Sequence, residues 1–340
     1  MDSQPIEVLI TLPLPEDVLA PLRELAPRVN LSIHSARRPE DIPEDVWKKV
    51  EVLYTDRVLP EPGRVPNLRW LQFHSAGVDF ALDSPLLQKE GLQVTTLSGA
   101  AAPQAAEYCL GVLLALSHHL PDLFQAQNKA EWLRDRWDRL IPRELRGSTV
   151  GIVGYGSIGR ELARLLLPFD VTILAAKYDA MHPEDEGYIA EGLGDPHGNL
   201  FTRLYPYQAV RSMVKTCDFV VISVPLTPDT RGLFGAEEIG AMKPEAYLVS
   251  VGRGGVVDEN ALLSALQDKR LAGAALDVFT EEPLSPTNPL WKAPNLVVTP
   301  HVAGMSNYYN QRAVDLFAAN LRRYLTGATL YNTVQLARGY

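Results

Sequence analysis

One stretch near the middle of the chain constrains the fold more than any other. Residues 148–166 read STVGIVGYGSIGRELARLL, which is an apolar run, a glycine-rich turn and a segment with the spacing of an amphipathic helix. An apolar run that passes through a tight turn into a helix is typical of a buried strand in a sheet covered by helices. The stretch therefore predicts an α/β domain with a parallel sheet.

Further apolar runs follow this turn, and a helical segment at 259–269 separates two of them. The runs lie at 171–176, 219–224, 247–251, 274–276 and 296–299. Strands that alternate with helices and are apolar on both faces favour a doubly wound parallel sheet of the Rossmann type. A Gly-, Pro- and Asp-rich stretch at 179–208 is longer than an ordinary connection, and we interpret it as a surface insertion.

The N-terminal part of the chain predicts a second α/β domain. Short apolar runs at 6–11, 50–54 and 68–73 alternate with helical or proline-marked segments, as in a parallel sheet. Residues 103–117 predict a long buried helix with proline at its start. A last helix, predicted at 310–325, is expected to pack back on the first domain. The length of 340 residues fits two domains of about 150 residues each.

Composition limits the classes of partner. Hydrophobic residues make up 46% and charged residues 21%, and the formal net charge is −9. This charge disfavours nucleic acid and anionic membrane surfaces as partners, so an anionic substrate needs a local cationic site. The longest apolar run, 109–116, is far shorter than the ~20 residues that span a bilayer, and no membrane partner is expected.

The cysteine content points to a reducing compartment. Cys109 and Cys217 are the only cysteines, which is too few for a disulfide framework or a cysteine metal site. No metal site is predicted. The N-terminal residues have the features of neither a signal nor a transit peptide, so we expect a cytoplasmic location.

The glycine turn after residue 153 has the pattern G-x-G-x-x-G. Gly154 permits a tight turn, Gly156 lets a pyrophosphate approach the backbone, and Gly159 lets helix and strand pack closely. Amide groups at the helix N-terminus then face the pyrophosphate. A strand–helix turn without a nucleotide is the alternative interpretation, but a strand before the motif and a helix after it favour a dinucleotide site. The predicted cofactor contacts of the turn are Gly154, Tyr155, Gly156, Ser157, Ile158 and Gly159.

The end of the next strand bears on the choice of dinucleotide. A site specific for NAD has an acidic residue about 20 residues after the first glycine, where it binds the ribose 2′-hydroxyl. Lys177 lies near that position, and a cation there favours NADP over NAD. The alternative is that Asp179 takes the place of the acid while Lys177 is a solvated charge.

Four residues with useful chemistry fall at the carboxyl ends of predicted strands, where ligands bind in open α/β sheets. They are Pro225, Arg253, Asp277 and His301. Arg253 lies between glycines, and its guanidinium suits a carboxylate and the polarisation of a carbonyl. His301 is the natural proton donor or acceptor near neutral pH. Glu282 could hold the far ring nitrogen of His301, keep the ring protonated and fix its orientation.

Each of these residues also has an ordinary interpretation. Arg253 could be a surface arginine in a turn, His301 a core histidine, and Glu282 a solvated acid in a loop. Their joint position along one sheet edge is what favours a catalytic site.

Two segments of the chain, VGIVGYGSIG at 150–159 and VGRGGVVDENALLSALQDKRLAGAALDVFTEEPLSPTNPLWKAPNLVVTPHVAG at 251–304, resemble the D-isomer-specific 2-hydroxyacid dehydrogenase family. The motifs FHSAGVD at 73–79 and PQAAEYCLGVLLALS at 103–117 also resemble that family, whereas 179–208 does not. The spacing of Arg253, Glu282 and His301 fits the family's arginine, glutamate and histidine.

The resemblance implies an NAD(P)-dependent reductase of small 2-oxo acids, with glyoxylate or hydroxypyruvate as the leading substrates. It implies a dinucleotide-binding domain at 103–304 and a flavodoxin-like substrate domain at 1–102 and 305–340. Arg253 would bind and polarise the substrate, His301 would be the acid/base, and Glu282 would tune it.

The resemblance also implies the surroundings of the substrate. Asp277 would lie beside the nicotinamide, and the amides of Ala76 and Gly77 would hold the substrate carboxylate. Tyr54 and Trp291 resemble positions that line the substrate pocket.

Members of the family are usually homodimers, joined through their cofactor domains. Trp132 and Trp137, in an arginine-rich segment at 132–146, fit packing of that kind. A sharper hypothesis is that this segment reaches the substrate site of the neighbouring subunit.

Two other functions remain open from the sequence. One is a redox-sensing interaction protein that binds NAD(P), and the other is a relative that acts on another small anion such as phosphite. The first needs only a nucleotide site, whereas this chain has the complete arginine, glutamate and histidine set.

Overall fold

The computed structural model describes residues 4–336 of the chain. The strands are β1 Ile6–Ile10, β2 Val29–Ile33, β3 Val52–Thr55, β4 Trp70–Phe73, β5 Gln93–Thr95, β6 Thr149–Val153, β7 Thr172–Lys177, β8 Arg203–Pro206, β9 Phe219–Ile222, β10 Tyr247–Ser250, β11 Gly273–Leu276 and β12 Leu296–Val298. The α-helices are α1 Ala20–Arg23, α2 Glu44–Trp47, α3 Ala102–Ser117, α4 Leu120–Asn128, α5 Arg136–Arg139, α6 Ser157–Leu166, α7 Val210–Val214, α8 Ala236–Ala241, α9 Glu259–Gln267 and α10 Tyr309–Thr326. No helix in this part of the chain is both long and apolar enough to cross a membrane.

The described residues divide into two compact units. Unit 1 contains the residues up to Ala101, the short segment Glu186–Tyr188 and the residues from Ser306 onward. Unit 2 contains Ala102–Asp185 and Ile189–Met305.

Unit 1 is built on a five-stranded parallel sheet with the order β2-β1-β3-β4-β5. This is the flavodoxin-like order, in which strand order reverses beside the first strand. Helix α10 packs on this sheet, where the ring of Phe317 lies 4.5 Å from that of Tyr54 and 5.2 Å from that of Trp70. The last helix therefore buries its apolar face against the first sheet, as the sequence predicts.

Unit 2 is built on a seven-stranded parallel sheet with the order β12-β11-β10-β9-β6-β7-β8. Strands β9 and β10 are buried along their whole length, because helices cover both faces. Strand order reverses at β6, between β7 and β9, and in doubly wound sheets this is where dinucleotides bind. The fold class predicted from the sequence is confirmed.

The interpretation of 179–208 as a surface insertion is wrong in two respects. The segment contains β8, which pairs in parallel with β7 at the sheet edge. It also contains Asp195, which is only 2% exposed. The Asp195 carboxylate accepts hydrogen bonds from the amides of Asn199 and Leu200 at 3.1 and 3.0 Å. Most of the stretch is thus packed into unit 2, and its turn-rich composition gives no sign of the short edge strand that it contains.

Helix α6 anchors the same segment through an arginine. Arg160 is 1% exposed, and its Nη1 donates to the Asp195 carbonyl at 2.5 Å while its Nη2 donates to the Pro183 carbonyl at 2.6 Å. Its Nε also lies 3.2 Å from a carboxylate oxygen of Asp185. A buried guanidinium needs such partners, and the segment supplies hydrogen-bond acceptors for both terminal nitrogens, whereas Nε has only the ion-pair contact with Asp185.

Candidate active site

The glycine turn has no room for side chains at its two ends. Gly154 follows β6 with φ of +101°, and an added Cβ there would lie 2.9 Å from Val224 Cγ1. A Cβ on Gly159 would lie 2.3 Å from the carbonyl oxygen of Gly154. The turn therefore requires glycine at both positions, which explains the first and last glycines of the motif.

The middle of the turn is open. A Cβ on Gly156 would meet no atom within 4 Å. Gly156 is the N-cap of α6, a helix of 10 residues that begins with Ser157 and Ile158, and no side chain caps it. Backbone amides at such a helix start suit a pyrophosphate. The residues present thus fit the dinucleotide that the motif predicts.

The side chain of Tyr155 is buried beneath the glycine turn. It is 1% exposed, and its hydroxyl donates to Asp195 Oδ2 at 2.7 Å. Burial raises the pKa of Tyr155, so the phenol remains a donor. Only the backbone of Tyr155 is available to a cofactor, and its side chain ties the glycine turn to the 179–208 segment.

Lys177 is the last residue of β7, and its ammonium is held in place. Its Nζ donates to the carbonyl oxygens of His182 at 2.5 Å and of Glu184 at 3.1 Å. Burial, and then the nearby Arg160, lower the pKa of Lys177. Asp179 accepts from His182 Nδ1 at 2.7 Å. Lys177 and Asp179, on which the choice between NADP and NAD depends in the sequence analysis, therefore both lie at the end of β7.

His301 and Glu282 form a pair at the carboxyl edge of the sheet. His301 Nδ1 lies 2.8 Å from Glu282 Oε2. The other carboxylate oxygen of Glu282 accepts the Phe279 amide at 2.9 Å. Because the carboxylate contacts Nδ1, that nitrogen carries a proton, and Nε2 is the atom left to exchange a proton with a substrate.

Asp277 holds the backbone around His301. It is 1% exposed, and its Oδ1 accepts from Thr299 Oγ1 at 2.6 Å and from the Val302 amide at 2.9 Å. Its Oδ2 accepts the Ala303 amide at 2.9 Å, and its carbonyl accepts the His301 amide at 2.8 Å. Both carboxylate oxygens of Asp277 therefore bind this loop, and its place beside the nicotinamide, which the resemblance implies, stays a prediction.

A further side chain, missed from the sequence, supports this network. The hydroxyl of Tyr108, on α3, lies 2.7 Å from Thr299 Oγ1. The carboxylate of Asp277 is an acceptor, so the single hydroxyl proton of Thr299 points to it, and Tyr108 is the donor to Thr299. Burial raises the pKa of Tyr108 to about 12, which keeps the phenol protonated. The only sequence signal was the position of Thr299 directly after β12.

Arg253 lies in a loop that touches the Glu282 segment. The next residue, Gly254, is so close to the Phe279 carbonyl that an added Cβ would lie 1.8 Å from its oxygen. Phe279 in turn donates its amide to Glu282. Arg253 Nη1 donates to the carbonyl of Gly252 at 3.1 Å. The three predicted catalytic residues therefore lie on loops that follow neighbouring strands β10, β11 and β12.

The remaining predicted residues of unit 2 lie at the same edge. Trp291 is half exposed, and its Nε1 donates to the Ser285 carbonyl at 2.9 Å. Trp291, Glu282 and His301 line one cavity. Pro225 is exposed after β9, and its carbonyl accepts from Thr230 Oγ1 at 2.6 Å.

In unit 1, Tyr54 is fully buried, so its side chain does not line an open pocket. It is 0% exposed, and its hydroxyl lies 2.6 Å from His74 Nδ1. His74 immediately precedes the loop that contains Ala76 and Gly77, and Ser75 Oγ donates to the Gly77 carbonyl at 2.8 Å. Ala76 is exposed and Gly77 is partly exposed. This loop is therefore accessible to solvent, whereas the side chain of Tyr54 is not.

The fold and this sheet edge together define a dinucleotide-binding oxidoreductase. Comparison with known proteins narrows the class. The family model described as "D-isomer specific 2-hydroxyacid dehydrogenase, NAD binding domain" matches residues 110–303. The chain is 33% identical over 330 residues to a glyoxylate reductase of Thermofilum pendens, covering 94% of this chain and 92% of the relative. The chain belongs to the D-isomer-specific 2-hydroxyacid dehydrogenase family, whose members are NAD(P)-dependent oxidoreductases, and the predicted family is confirmed.

Other relatives and solved structures agree with this assignment. A D-3-phosphoglycerate dehydrogenase of Methanocaldococcus jannaschii is 29% identical over 97% of this chain, which spans 60% of that relative's length. A D-isomer specific 2-hydroxyacid dehydrogenase of Xanthobacter autotrophicus, solved with NADPH and MES, has a TM-score of 0.77 and 26% identity, covering 99% of this chain and 100% of that one. An NADPH-dependent glyoxylate/hydroxypyruvate reductase of Sinorhizobium meliloti, solved with NADP and malonate, has a TM-score of 0.69 and 29% identity, covering 99% of this chain and 98% of that one.

Proposed function

We propose that this chain reduces glyoxylate, hydroxypyruvate or a similar small 2-oxo acid to the D-2-hydroxy acid, with His301, Glu282 and Arg253 as its catalytic residues. The observation that carries the proposal is the 2.8 Å contact between His301 Nδ1 and Glu282 Oε2. A carboxylate on Nδ1 accepts the hydrogen of that nitrogen and directs Nε2 away from it. That arrangement suits delivery of one proton to a forming alkoxide.

Each catalytic residue has a defined task in this proposal. When bound, a dihydronicotinamide dinucleotide supplies the hydride. Arg253 binds the substrate carboxylate with its forked donors and polarises the adjacent carbonyl. His301 gives the Nε2 proton to the carbonyl oxygen as negative charge develops there, and Glu282 stabilises the positive ring before transfer. In unit 1, we assign the accessible amides of Ala76 and Gly77 to binding of the substrate carboxylate.

The test is cofactor oxidation with a panel of small acids. We expect loss of dihydronicotinamide absorbance with glyoxylate and hydroxypyruvate, and a D-configured product from hydroxypyruvate. Dinucleotide binding without turnover of any 2-oxo acid would favour the redox-sensing alternative instead. Reduction of NAD(P)+ by phosphite, with no 2-oxo acid reduced, would favour the other alternative; neither has a specific feature of this chain in its support.

We propose NADP as the preferred dinucleotide, with Lys177 beside the ribose 2′-phosphate. Two of its three ammonium hydrogens are used by the carbonyls of His182 and Glu184, so the cation is held at the end of β7 with one donor left for a phosphate oxygen. A charge-assisted hydrogen bond of this kind contributes about 1.5–3 kcal/mol, or roughly 10- to 100-fold.

Two variants separate this proposal from the NAD alternative. Lys177→Gln should lower kcat/KM for NADPH by at least about 10-fold and leave NADH nearly unchanged. Asp179→Asn should have little effect on NADPH. If instead Lys177→Gln changes neither cofactor and Asp179→Asn weakens NADH, Asp179 holds the ribose and NAD is the cofactor.

We also propose that the protein is a cytoplasmic homodimer that associates through the region after α3. Large apolar side chains with at least 36% exposure cluster there, namely Leu120, Leu123, Phe124, Trp132, Trp137 and Ile141. Exposed apolar side chains grouped in one region of the chain are typical of an interaction site. Trp137→Glu should shift the sedimentation coefficient to that of a monomer. Met181→Glu, at a site that is 84% exposed elsewhere in unit 2, is the matched control and should not.

A further inference from the structure

A cavity of about 430 Å³ opens directly beside the His301–Glu282 pair. It lies wholly within unit 2, and its lining residues are Phe279, Glu282, Pro283, Leu284, Trp291, Val298, Pro300 and His301. The proposed reaction uses the imidazole of His301 but assigns no role to this space. Because His301, the proposed proton donor, lines this cavity, part of the substrate that accepts the proton can occupy it.

The walls of the cavity are apolar and held in position. Phe279 is 5% exposed, and its amide is fixed by Glu282 Oε1 at 2.9 Å. The Trp291 indole is fixed by its hydrogen bond to the Ser285 carbonyl. The short helical turn that contains Trp291 is capped by Asn288, whose side-chain oxygen accepts a hydrogen bond from the Leu290 amide at 2.9 Å. The cavity is therefore preformed, which limits the ordering cost of filling it.

The charge of the cavity is as informative as its shape. Its described lining contains neither lysine nor arginine, and its one carboxylate belongs to Glu282. Both oxygens of that carboxylate are in use, one by His301 and one by the Phe279 amide. A phosphate or a second carboxylate in the cavity would face Glu282, and the ring of His301, which is positive in the proposed mechanism, is already paired with that carboxylate. The second anion would therefore lack a cation of its own, and burying an unpaired charge is costly.

We propose that this cavity binds the side chain on C2 of the 2-oxo acid, the group that begins with C3, and that it selects neutral, apolar side chains over both hydrogen and anionic groups. The inference rests on the proposed function and refines its substrate class. A branched side chain of four carbons fits easily within the volume. Each buried methylene should raise kcat/KM about fourfold. The preferred substrates are then 2-oxo acids larger than glyoxylate, with alkyl or aryl side chains.

The test is a homologous series with the wild-type enzyme. The substrates are glyoxylate, pyruvate, 2-oxobutanoate, 2-oxopentanoate and 4-methyl-2-oxopentanoate, with oxaloacetate and phosphohydroxypyruvate as anionic comparisons. We expect kcat/KM to rise on the order of 50-fold from pyruvate to 4-methyl-2-oxopentanoate, which adds three carbons. The anionic acids should be at least about 100-fold poorer than pyruvate.

A pair of variants connects the effect to the cavity. Leu284→Arg places a cation in the lining and should abolish the rise with chain length and improve oxaloacetate at least about 10-fold. Thr287→Arg lies on the same loop, is exposed and does not line the cavity, so it should keep the wild-type profile.

The outcomes distinguish this inference from the function on which it rests. If glyoxylate is reduced but kcat/KM is flat or falls along the wild-type series, the cavity does not bind the side chain and the reductase assignment stands. If none of the acids is reduced, the reductase assignment itself fails. The wild-type series decides the matter even if Leu284→Arg does not fold.

Discussion

The hydrogen bonds beneath His301 can be tested with Thr299→Val, which keeps the shape of the side chain and removes its hydroxyl. That hydroxyl donates to Asp277 at 2.6 Å and accepts from Tyr108 at 2.7 Å. A hydrogen bond to a charged group contributes about 1.5–3 kcal/mol, and the orphaned Tyr108 hydroxyl adds up to about 1 kcal/mol, less where water reaches it. We expect a loss of about 2–3 kcal/mol in the free energy of unfolding.

Two measurements follow from this magnitude. For a domain of the size of unit 2, about 2–4 °C in Tm corresponds to each kcal/mol, so a thermal melt should show a decrease of roughly 4–12 °C. Displacement of His301 should also lower kcat, by up to about 100-fold for a shift near 1 Å. KM should change much less, because Thr299 does not bind substrate in the proposed mechanism.

Matched variants show whether loss of the Thr299 hydroxyl causes the decreases in Tm and kcat. Thr299→Ser retains the donor and acceptor and should restore most of the Tm and kcat. Tyr108→Phe removes only the outer hydrogen bond and should cost about 1 kcal/mol with little change in kcat. If Thr299→Val melts within 1 °C of wild type with unchanged kcat, or if Ser and Val behave alike, the network does not position His301.

Three further predictions concern other parts of the molecule. His301→Ala should lower kcat by roughly 10²–10⁴-fold in steady-state assays, and near-normal turnover would remove it from the mechanism. Arg253→Lys should raise KM and lower kcat because an ammonium loses the forked contact; unchanged kcat/KM would contradict that role. Burial raises the pKa of Cys109, and it raises the pKa of Cys217 to about 12, so both remain thiols at neutral pH and iodoacetamide should label them only after unfolding. Labelling of the native protein within minutes at pH 8 would refute their burial.

The glycine turn and the strand ends could be predicted because their signals are local. Gly159 is required by the carbonyl oxygen of Gly154, five residues earlier, and the G-x-G-x-x-G pattern marks Gly154 although the atom that excludes a side chain there belongs to Val224. The positions of Arg253 and His301 follow from strands that end at Ser250 and Val298. A parallel sheet brings the carboxyl ends of its strands to one edge regardless of the loop conformations. The position of the candidate site can therefore be predicted from the strand ends alone.

The interactions that the sequence did not predict depend on partners far apart in the chain. Tyr108 and Thr299 are separated by 191 positions, and nothing near Tyr108 distinguishes it from any other aromatic residue on a buried helix. Strand β8 is an edge strand next to turn-rich sequence, so its four residues lack a periodic pattern. Arg160 was expected only as part of an amphipathic helix, and its burial became possible because the 179–208 segment supplies carbonyl acceptors.

Asp277 shows why a strand end locates a residue without giving its role. The sequence places it at the edge of the sheet, where either the nicotinamide or the next loop could take its carboxylate. His301 has φ of +55°, a left-handed conformation that costs an L-residue roughly 1–2 kcal/mol. Such a backbone conformation is stable only where neighbouring contacts hold it. Asp277 supplies these contacts through its hydrogen bonds to Thr299, Val302 and Ala303. The bonds that offset this strain also hold the ring against Glu282, so at this edge a substitution that weakens the fold should weaken proton transfer as well.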